Sequence, residues 1–260
     1  MVNYYLAEAC QNTFVLFDCL ELSCVDESFL KKAHPCLLKE NRDDALILFD
    51  GALIDHVMYA HLLVLGQDQA LGEFCGNGAR ACAAYLFKKY PEQSHFYLIT
   101  QHGKHSLIKY SDEIYSISLP PARFEWNKKF TTSPAQISHL WPHLTYVEML
   151  EPHLVFNDKV SDAELLSLGR EINQRRDLFP LGININCWHA LEEGVLEVKT
   201  YERGVQRLTR SCGTGSMSCA AFYKKLGNVL VMTSGGPLEI TIHKNTMELK
   251  GPAFCNENYL

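Results

Sequence analysis

The 260-residue chain lacks clustered positive charge, an unbroken apolar run of membrane length, and any CxxC pair. Lys and Arg number 24 against 30 Asp and Glu, a formal net charge of −6, with no basic stripe. Phosphate backbones are bound by grouped cations, so nucleic acid is not an expected partner. The most apolar stretch, 45–65, is broken by Asp50, Asp55, His56 and His61, so no membrane span and no membrane partner are expected. The opening Met1-Val2-Asn3-Tyr4-Tyr5 lacks the basic head and apolar run of a secretion signal, and the expected location is cytoplasmic. His102 and His105 lie close together, but Gly103 between them indicates a turn. No third ligand is evident, so no metal site is expected.

What the chain does have is core material: 47% of its residues are hydrophobic, which argues against disorder. Its length sits near the upper limit for one core, so two domains of roughly 130 residues are the natural expectation. Ten cysteines stand at 10, 19, 24, 36, 75, 82, 187, 212, 219 and 255. Disulfide frameworks belong to small secreted domains, so most of these thiols are expected to be reduced and buried.

Two cysteines stand apart because they occur in a repeat. Cys75-Gly76-Asn77-Gly78-Ala79-Arg80-Ala81-Cys82-Ala83-Ala84-Tyr85 recurs as Cys212-Gly213-Thr214-Gly215-Ser216-Met217-Ser218-Cys219-Ala220-Ala221-Phe222, and Lys88 falls on Lys225. Duplication of this kind implies two related domains. In each copy the Gly-x-Gly reads as a turn, followed by small apolar residues at helical spacing, so the glycines stand at a helix N-terminus. Cys82 and Cys219, one turn further on, read as core. The rest is short strand-like runs: 14–17, 46–49, 96–99, 114–119, 195–200, 229–232 and 238–242. The expected class is α+β: two pseudo-symmetric β-rich domains, each wrapped around a central helix, with the active site in an interdomain cleft. Pro120-Pro121 places the boundary, giving domains 1–120 and 121–249.

Inverting a Cα centre needs a base to take its proton and an acid on the other face to return one, which a thiolate and a thiol can supply. A helix N-terminus is expected to lower a thiol's pKa from roughly 8.5 into the range of about 3.5–7.5. The same backbone amides would hold a carboxylate and stabilise carbanion charge. Alternatives left open are a tight loop around a buried thiol, a Cys75–Cys212 disulfide acting as a redox switch, and a cysteine protease, although no particular His is paired with either thiol.

Cys75-Gly76-Asn77-Gly78-Ala79-Arg80, then Tyr201-Glu202-Arg203-Gly204, then Cys212-Gly213-Thr214-Gly215 resemble the signature of the diaminopimelate epimerases, two-domain enzymes that work without pyridoxal phosphate. The order of motifs runs along nearly the whole chain; the proline racemases share the two-cysteine logic but match the first motif less well. The resemblance implies an isomerase with no cofactor and Cys75 and Cys212 as catalytic residues. It implies substrate-binding roles for Asn12, Gly76, Asn77, Asn184, Glu202, Arg203, Gly213 and Thr214. It also implies that a C-terminal strand, about 250–260, completes the first domain. The expected partner is a small-molecule amino acid, with a homodimer left open.

The departures bear on substrate. Asn12 lies in Gln11-Asn12-Thr13-Phe14, where the family writes Gly-Asn-Asp-Phe. Gly66-Gln67-Asp68-Gln69-Ala70 stands for Asn-x-Asp-Gly-Ser, and Leu150-Glu151-Pro152-His153 for Gly-Asn-Pro-His. The changed asparagines are those that grip the far amino-acid head of diaminopimelate, so Glu151 would repel a distal carboxylate while Arg203 could still hold one. The favoured expectation is a different amino acid, such as histidine or another basic one that Glu151 would meet. Diaminopimelate is the alternative, and a non-catalytic ligand-binding or thiol-sensing protein is the alternative of another class.

Overall fold

In a computed structural model, residues 4–126, 130 and 132–256 are described. Met1-Val2-Asn3 of the opening segment and residues 257–260 of the expected C-terminal strand lie outside the described residues. Contacts divide the chain into two compact units, between Leu119 and Pro120 and again between Leu249 and Lys250.

The first unit begins with β1 (Tyr4–Ala9) and β2 (Asn12–Cys19), an antiparallel pair. Helix α1 (Glu27–Lys39) then crosses over to β3 (Asp44–Ile54), which runs parallel to β2. Its N-cap Asp26 accepts from the Phe29 amide, and its buried Ala33 and Leu37 face the strands. β4 (Val57–Gly66) returns antiparallel to β3, and the short β5 (Leu71–Gly72) pairs with its end. Helix α2 (Gly76–Lys89) is the second crossover, leading to β6 (Phe96–Thr100) parallel to β4. β7 (Gly103–Lys109) and β8 (Ile114–Leu119) follow as an antiparallel meander.

The second unit repeats this order. After α3 (Pro134–Leu140), β9 (Thr145–Met149) pairs antiparallel with β10 (Glu151–Asn157). Helix α4 (Asp162–Gln174), opened by a Ser161–Glu164 capping box, crosses to β11 (Asn184–Glu192), parallel to β10. β12 (Val195–Glu202) returns antiparallel, β13 (Arg207–Thr209) pairs with its end, and α5 (Gly213–Tyr223) crosses to β14 (Gly227–Thr233), parallel to β12. β15 (Gly236–Ile242) and β16 (Met247–Pro252) close the series. Back in the first unit, β17 (Phe254–Cys255) pairs with β1, Ala7 opposite Cys255. The duplication read from eleven residues is thus a duplication of whole topology, with α1 matching α4, β3 matching β11, and α2 matching α5.

Helices α2 and α5 are the centres around which the strands wrap. Every residue of α2 from Gly76 to Phe87 is buried, as is every residue of α5 from Gly213 to Ala220. Neither helix therefore needs a polar face, which explains the run of Ala, Gly, Ser and Cys in both. Cys82 and Cys219 are fully buried in these helices. Helix α5 ends at Tyr223, so Lys225 lies beyond it while Lys88 sits inside α2; the coincidence of these lysines is not structural. Small residues also serve close packing on α4, where a Cβ on Gly169 would lie 2.2 Å from the buried ring of Tyr201. His102 stands in the β6–β7 turn and His105 is buried on β7; among the described residues no His, Cys, Asp and Glu cluster could hold a metal.

Candidate active site

Each repeated cysteine is the N-cap of its central helix. Cys75 has φ −136° and ψ 107°, and Cys212 has φ −119° and ψ 111°. The Gly78 amide donates to Cys75 Sγ at 3.2 Å, and the Gly215 amide donates to Cys212 Sγ at 3.4 Å. In both, the cysteine carbonyl accepts the first helical bond, from Ala79 and Ser216 at 2.9 Å each. A sulfur thus takes the place that Ser or Asp usually fills, receiving one of the free amides of the first turn. The Gly-x-Gly is that first helical turn, not a turn preceding it: the sulfur can cap only if the chain is already helical at the second glycine.

The second glycine of each motif is required by close approach. A Cβ on Gly78 would lie 2.7 Å from Leu46 Cδ2 of β3, and one on Gly215 would lie 2.2 Å from Asn186 Oδ1 of β11. Equivalent strands press against equivalent helix starts. Asn186, fully buried, accepts from Thr200 Oγ1 at 2.9 Å and donates to His153 Nδ1 at 3.0 Å. His153 is therefore neutral with its proton on Nε2, and its pKa falls to about 3, chiefly from burial, helped by the Arg203 charge. The Asn-x-Asn spacing of Asn184 and Asn186 on one strand face is the signal in the sequence for this partner of His153.

The sequence-predicted residues fall into two groups, one in each unit. In the first, the Cys75 thiol points to Asn12 Oδ1 at 3.9 Å, and Gly76 and Asn77 form the first turn of α2. Asn77 Oδ1 is taken by Arg80 at 2.8 Å, a buried partner that sequence reasoning quoted in the motif but gave no role. In the second group, Gly213 and Thr214 open α5, with Thr214 Oγ1 3.5 Å from Cys212 Sγ. Asn184 donates to Glu151 Oε2 at 3.1 Å and accepts from the Arg203 amide at 3.0 Å. Arg203 Nη2 stands 3.9 Å from Glu151 Oε1, and Glu202 accepts from Thr209 Oγ1. Glu151 is thus not the isolated carboxylate that its substitution for asparagine suggested; it is half-buried and held by Asn184 and Arg203.

One expectation about chemistry is overturned. The helix N-terminus was expected to depress the pKa of both thiols, but Cys212 is pushed well above the ordinary cysteine value. Burial is the largest cause, followed by the Glu202 charge; Glu151 adds to it, while the Thr214 hydroxyl and Gly215 amide act the other way. One amide at 3.4 Å does not offset complete desolvation beside two carboxylates.

Three departures from the resembled motifs fall at left-handed backbone positions. Gln11, Gln69 and Leu150 stand where those motifs carry glycine, and all three hold left-handed φ of 62°, 66° and 62°. Glycine adopts this conformation without strain, whereas these three residues hold it at a cost. Gly66 is a change in the other direction: a Cβ there would lie 2.8 Å from Asp68 Oδ1, which instead accepts from the Ala70 amide at 3.0 Å. The aspartate occupies the space an asparagine at 66 would need.

The family model described as diaminopimelate epimerase matches residues 145–254. A diaminopimelate epimerase of Methanocella arvoryzae is 30% identical over 209 residues, covering 74% of this chain and 73% of the relative. One of Thermotoga maritima is 27% identical over 247 residues, covering 92% and 94% respectively. Among solved structures, a probable proline racemase from Agrobacterium radiobacter K84 superposes with TM-score 0.70 at 12% identity, covering 100% of this chain and 92% of its own. A PhzF-family phenazine biosynthesis protein of Enterococcus faecalis gives TM-score 0.67 at 12% identity, covering 100% of both. These structures bear on the fold alone, an α+β architecture of the diaminopimelate epimerase type.

Proposed function

We propose, from the premise that this chain belongs to the diaminopimelate epimerase family and is an isomerase of the racemase and epimerase type, that it inverts the α-carbon of a free amino acid with Cys75 and Cys212 as its two acid–base groups. One sulfur accepts the Cα proton while the other donates its own proton to the opposite face. The backbone amides of Gly76, Asn77, Gly213 and Thr214 would receive the α-carboxylate and the charge that develops beside it. No cofactor enters this scheme. The observation that supports it most is the twofold occurrence of a sulfur cap on the start of a buried central helix, which structure alone gives no reason to build with cysteine. A cytoplasmic enzyme of small-molecule metabolism follows from the same proposal.

For the substrate, we favour an amino acid other than diaminopimelate, with a basic or imidazole side chain that reaches Glu151. The supporting observations are the carboxylate at 151 and the absence of a side chain at 66. Diaminopimelate is the second reading, favoured by Arg203, whose guanidinium already faces a carboxylate oxygen at 3.9 Å. The test is incubation with L-histidine, L-lysine, L-arginine and LL-diaminopimelate in D₂O, following loss of the Cα proton by NMR. Exchange with diaminopimelate alone would end the alternative-substrate proposal. Cys75→Ser and Cys212→Ser should each abolish turnover while keeping the fold; variants that retain full ligand affinity from a wild type that turns nothing over would instead identify a binding protein.

A further inference from the structure

Arg80 is the largest side chain in the described core with essentially no exposure, and no carboxylate among the described residues pairs with it. Its guanidinium reaches back along α2 to the Gly76 carbonyl at 3.4 Å and Asn77 Oδ1 at 2.8 Å, and across to Cys10 Sγ at 3.5 Å. Its Nε has no partner. Buried arginines are almost always paired, because an isolated buried charge is costly. This one also lies at the helix end where the backbone dipole already disfavours a cation. The sulfur it touches is that of Cys10, and the sulfur of Cys75 caps the same helical turn beneath which it folds. Burial lowers the pKa of Arg80, and the sulfurs of Cys10 and Cys75 oppose that shift.

The second repeat carries no arginine at this place; its Arg203, which precedes the motif, faces Glu151 Oε1 at 3.9 Å. The residue at the place of Arg80 is Met217, and the charges acting on Cys212 are the carboxylates of Glu202 and Glu151. The two helix starts match in backbone and are opposite in electrostatics. Resting on the two-cysteine reading above, we propose that Arg80 is a positioning residue that holds Cys75 as the thiolate in the resting enzyme and leaves Cys212 as the thiol. In the first half-reaction the Cα–H bond breaks and its proton goes to Cys75 Sγ. The Cys212 S–H bond then breaks to deliver a proton to the opposite face, and the enzyme ends with a Cys75 thiol and a Cys212 thiolate. Exchange with water restores the resting order.

The other titratable groups around this end of α2 do not supply the missing charge. Cys82 and Cys255 are thiols whose pKa is raised by burial, and His105, whose ring meets that of Phe74, is neutral because burial lowers its pKa to about 4. Asp18 is occupied by Tyr85 and Lys89 at the far end of the helix. Glu73, two residues before Cys75, would oppose a thiolate and so makes the need for Arg80 greater.

The test is the pH dependence of iodoacetamide alkylation, read at each cysteine by peptide mass spectrometry without substrate. In the wild type the midpoint for Cys75 should lie below that for Cys212. Arg80→Met, which copies the second repeat, should raise the Cys75 midpoint by about 1 pH unit or more. Arg80→Lys should restore most of the shift, and neither variant should move Cys212. A Cys75 midpoint at or above that of Cys212 in the wild type overturns the proposal without any variant having to fold. It is equally overturned if Arg80→Met shifts Cys10 instead, or raises KM while leaving the Cys75 midpoint in place, as a substrate-carboxylate clamp would. Because the midpoints are read without substrate, a failure to find any racemised amino acid would refute the two-cysteine reading separately.

Discussion

Replacing Gly215 with alanine should destabilise the protein by about 2–4 kcal/mol, despite alanine being the better helix former. The added methyl would stand 2.2 Å from Asn186 Oδ1 and 3.0 Å from Thr200 Oγ1, so Asn186 has to move. Asn186 is fully buried and makes bonds to Thr200 Oγ1, His153 Nδ1 and the Leu154 carbonyl. Three such bonds are worth about 1 kcal/mol each, more where a buried partner is left unsatisfied. Helix propensity returns about 1 kcal/mol. A Cβ at Gly78 would lie 2.7 Å from the terminal methyl of Leu46 and 3.3 Å from both Cβ and Sγ of Cys75, so Gly78→Ala should also destabilise, by less than Gly215→Ala because no hydrogen-bonded amide has to move. Denaturant unfolding of both variants, and of Gly215→Ala combined with Asn186→Ala, measures this. The double variant should show coupling of more than about 1 kcal/mol, since Asn186→Ala removes the atom that the methyl strikes. A Gly215→Ala protein within about 0.5 kcal/mol of wild type, or strict additivity with Asn186→Ala, would refute the close-approach explanation of the motif.

Leu150→Gly should raise stability by about 1 kcal/mol in a thermal melt, because it relieves a left-handed φ of 62° in a bulky residue; an unchanged or lowered midpoint would show that the leucine's contacts outweigh the strain. Stability should also fall with acid. His153 stays neutral in the fold down to about 3, whereas in the unfolded chain it protonates near 6.5. Between those values the unfolded state binds the extra proton, so stabilisation present in full above roughly pH 6.5 declines by about 1.4 kcal/mol per unit below it. Unfolding curves collected between roughly pH 7 and 4.5 should show that slope, and His153→Gln should flatten it; an equal slope in the variant would place the loss elsewhere. Glu151→Asn should move the preference of the enzyme toward diaminopimelate by tenfold or more in relative kcat/KM, on the scale of about 1.4 kcal/mol for one recovered contact. An unaltered ratio would remove Glu151 from substrate selection.

Much of the architecture was written in the chain. The strand-like runs at 14–17, 46–49, 96–99, 114–119, 195–200, 229–232 and 238–242 all lie within strands, because their alternation or continuous apolarity reports burial directly. The repeat located both central helices, and the N-cap cysteines followed from it. What the sequence hid were effects of packing between distant segments. The pKa of Cys212 depends on its burial and on the charges of Glu202 and Glu151, which no local pattern encodes. The Glu151–Asn184–Arg203 cluster joins residues 33 and 19 positions apart, so the replaced asparagine looked like a bare charge. Arg80 sat inside a recognised motif, but a helix of small residues gives no hint that a guanidinium folds back beneath its first turn. Gln11, Gln69 and Leu150 hold left-handed backbone that none of these residue types announces.

The claim that two sulfurs divide the work is tested most directly by where deuterium appears early in turnover. In D₂O, with whichever amino acid of the panel is turned over, two separate acid–base groups should give product that carries deuterium at Cα from the first turnover. The unreacted enantiomer should meanwhile keep its proton. If remaining substrate gains deuterium as fast as product forms, a single group is serving both faces, and the assignment of Cys75 and Cys212 as partners is wrong.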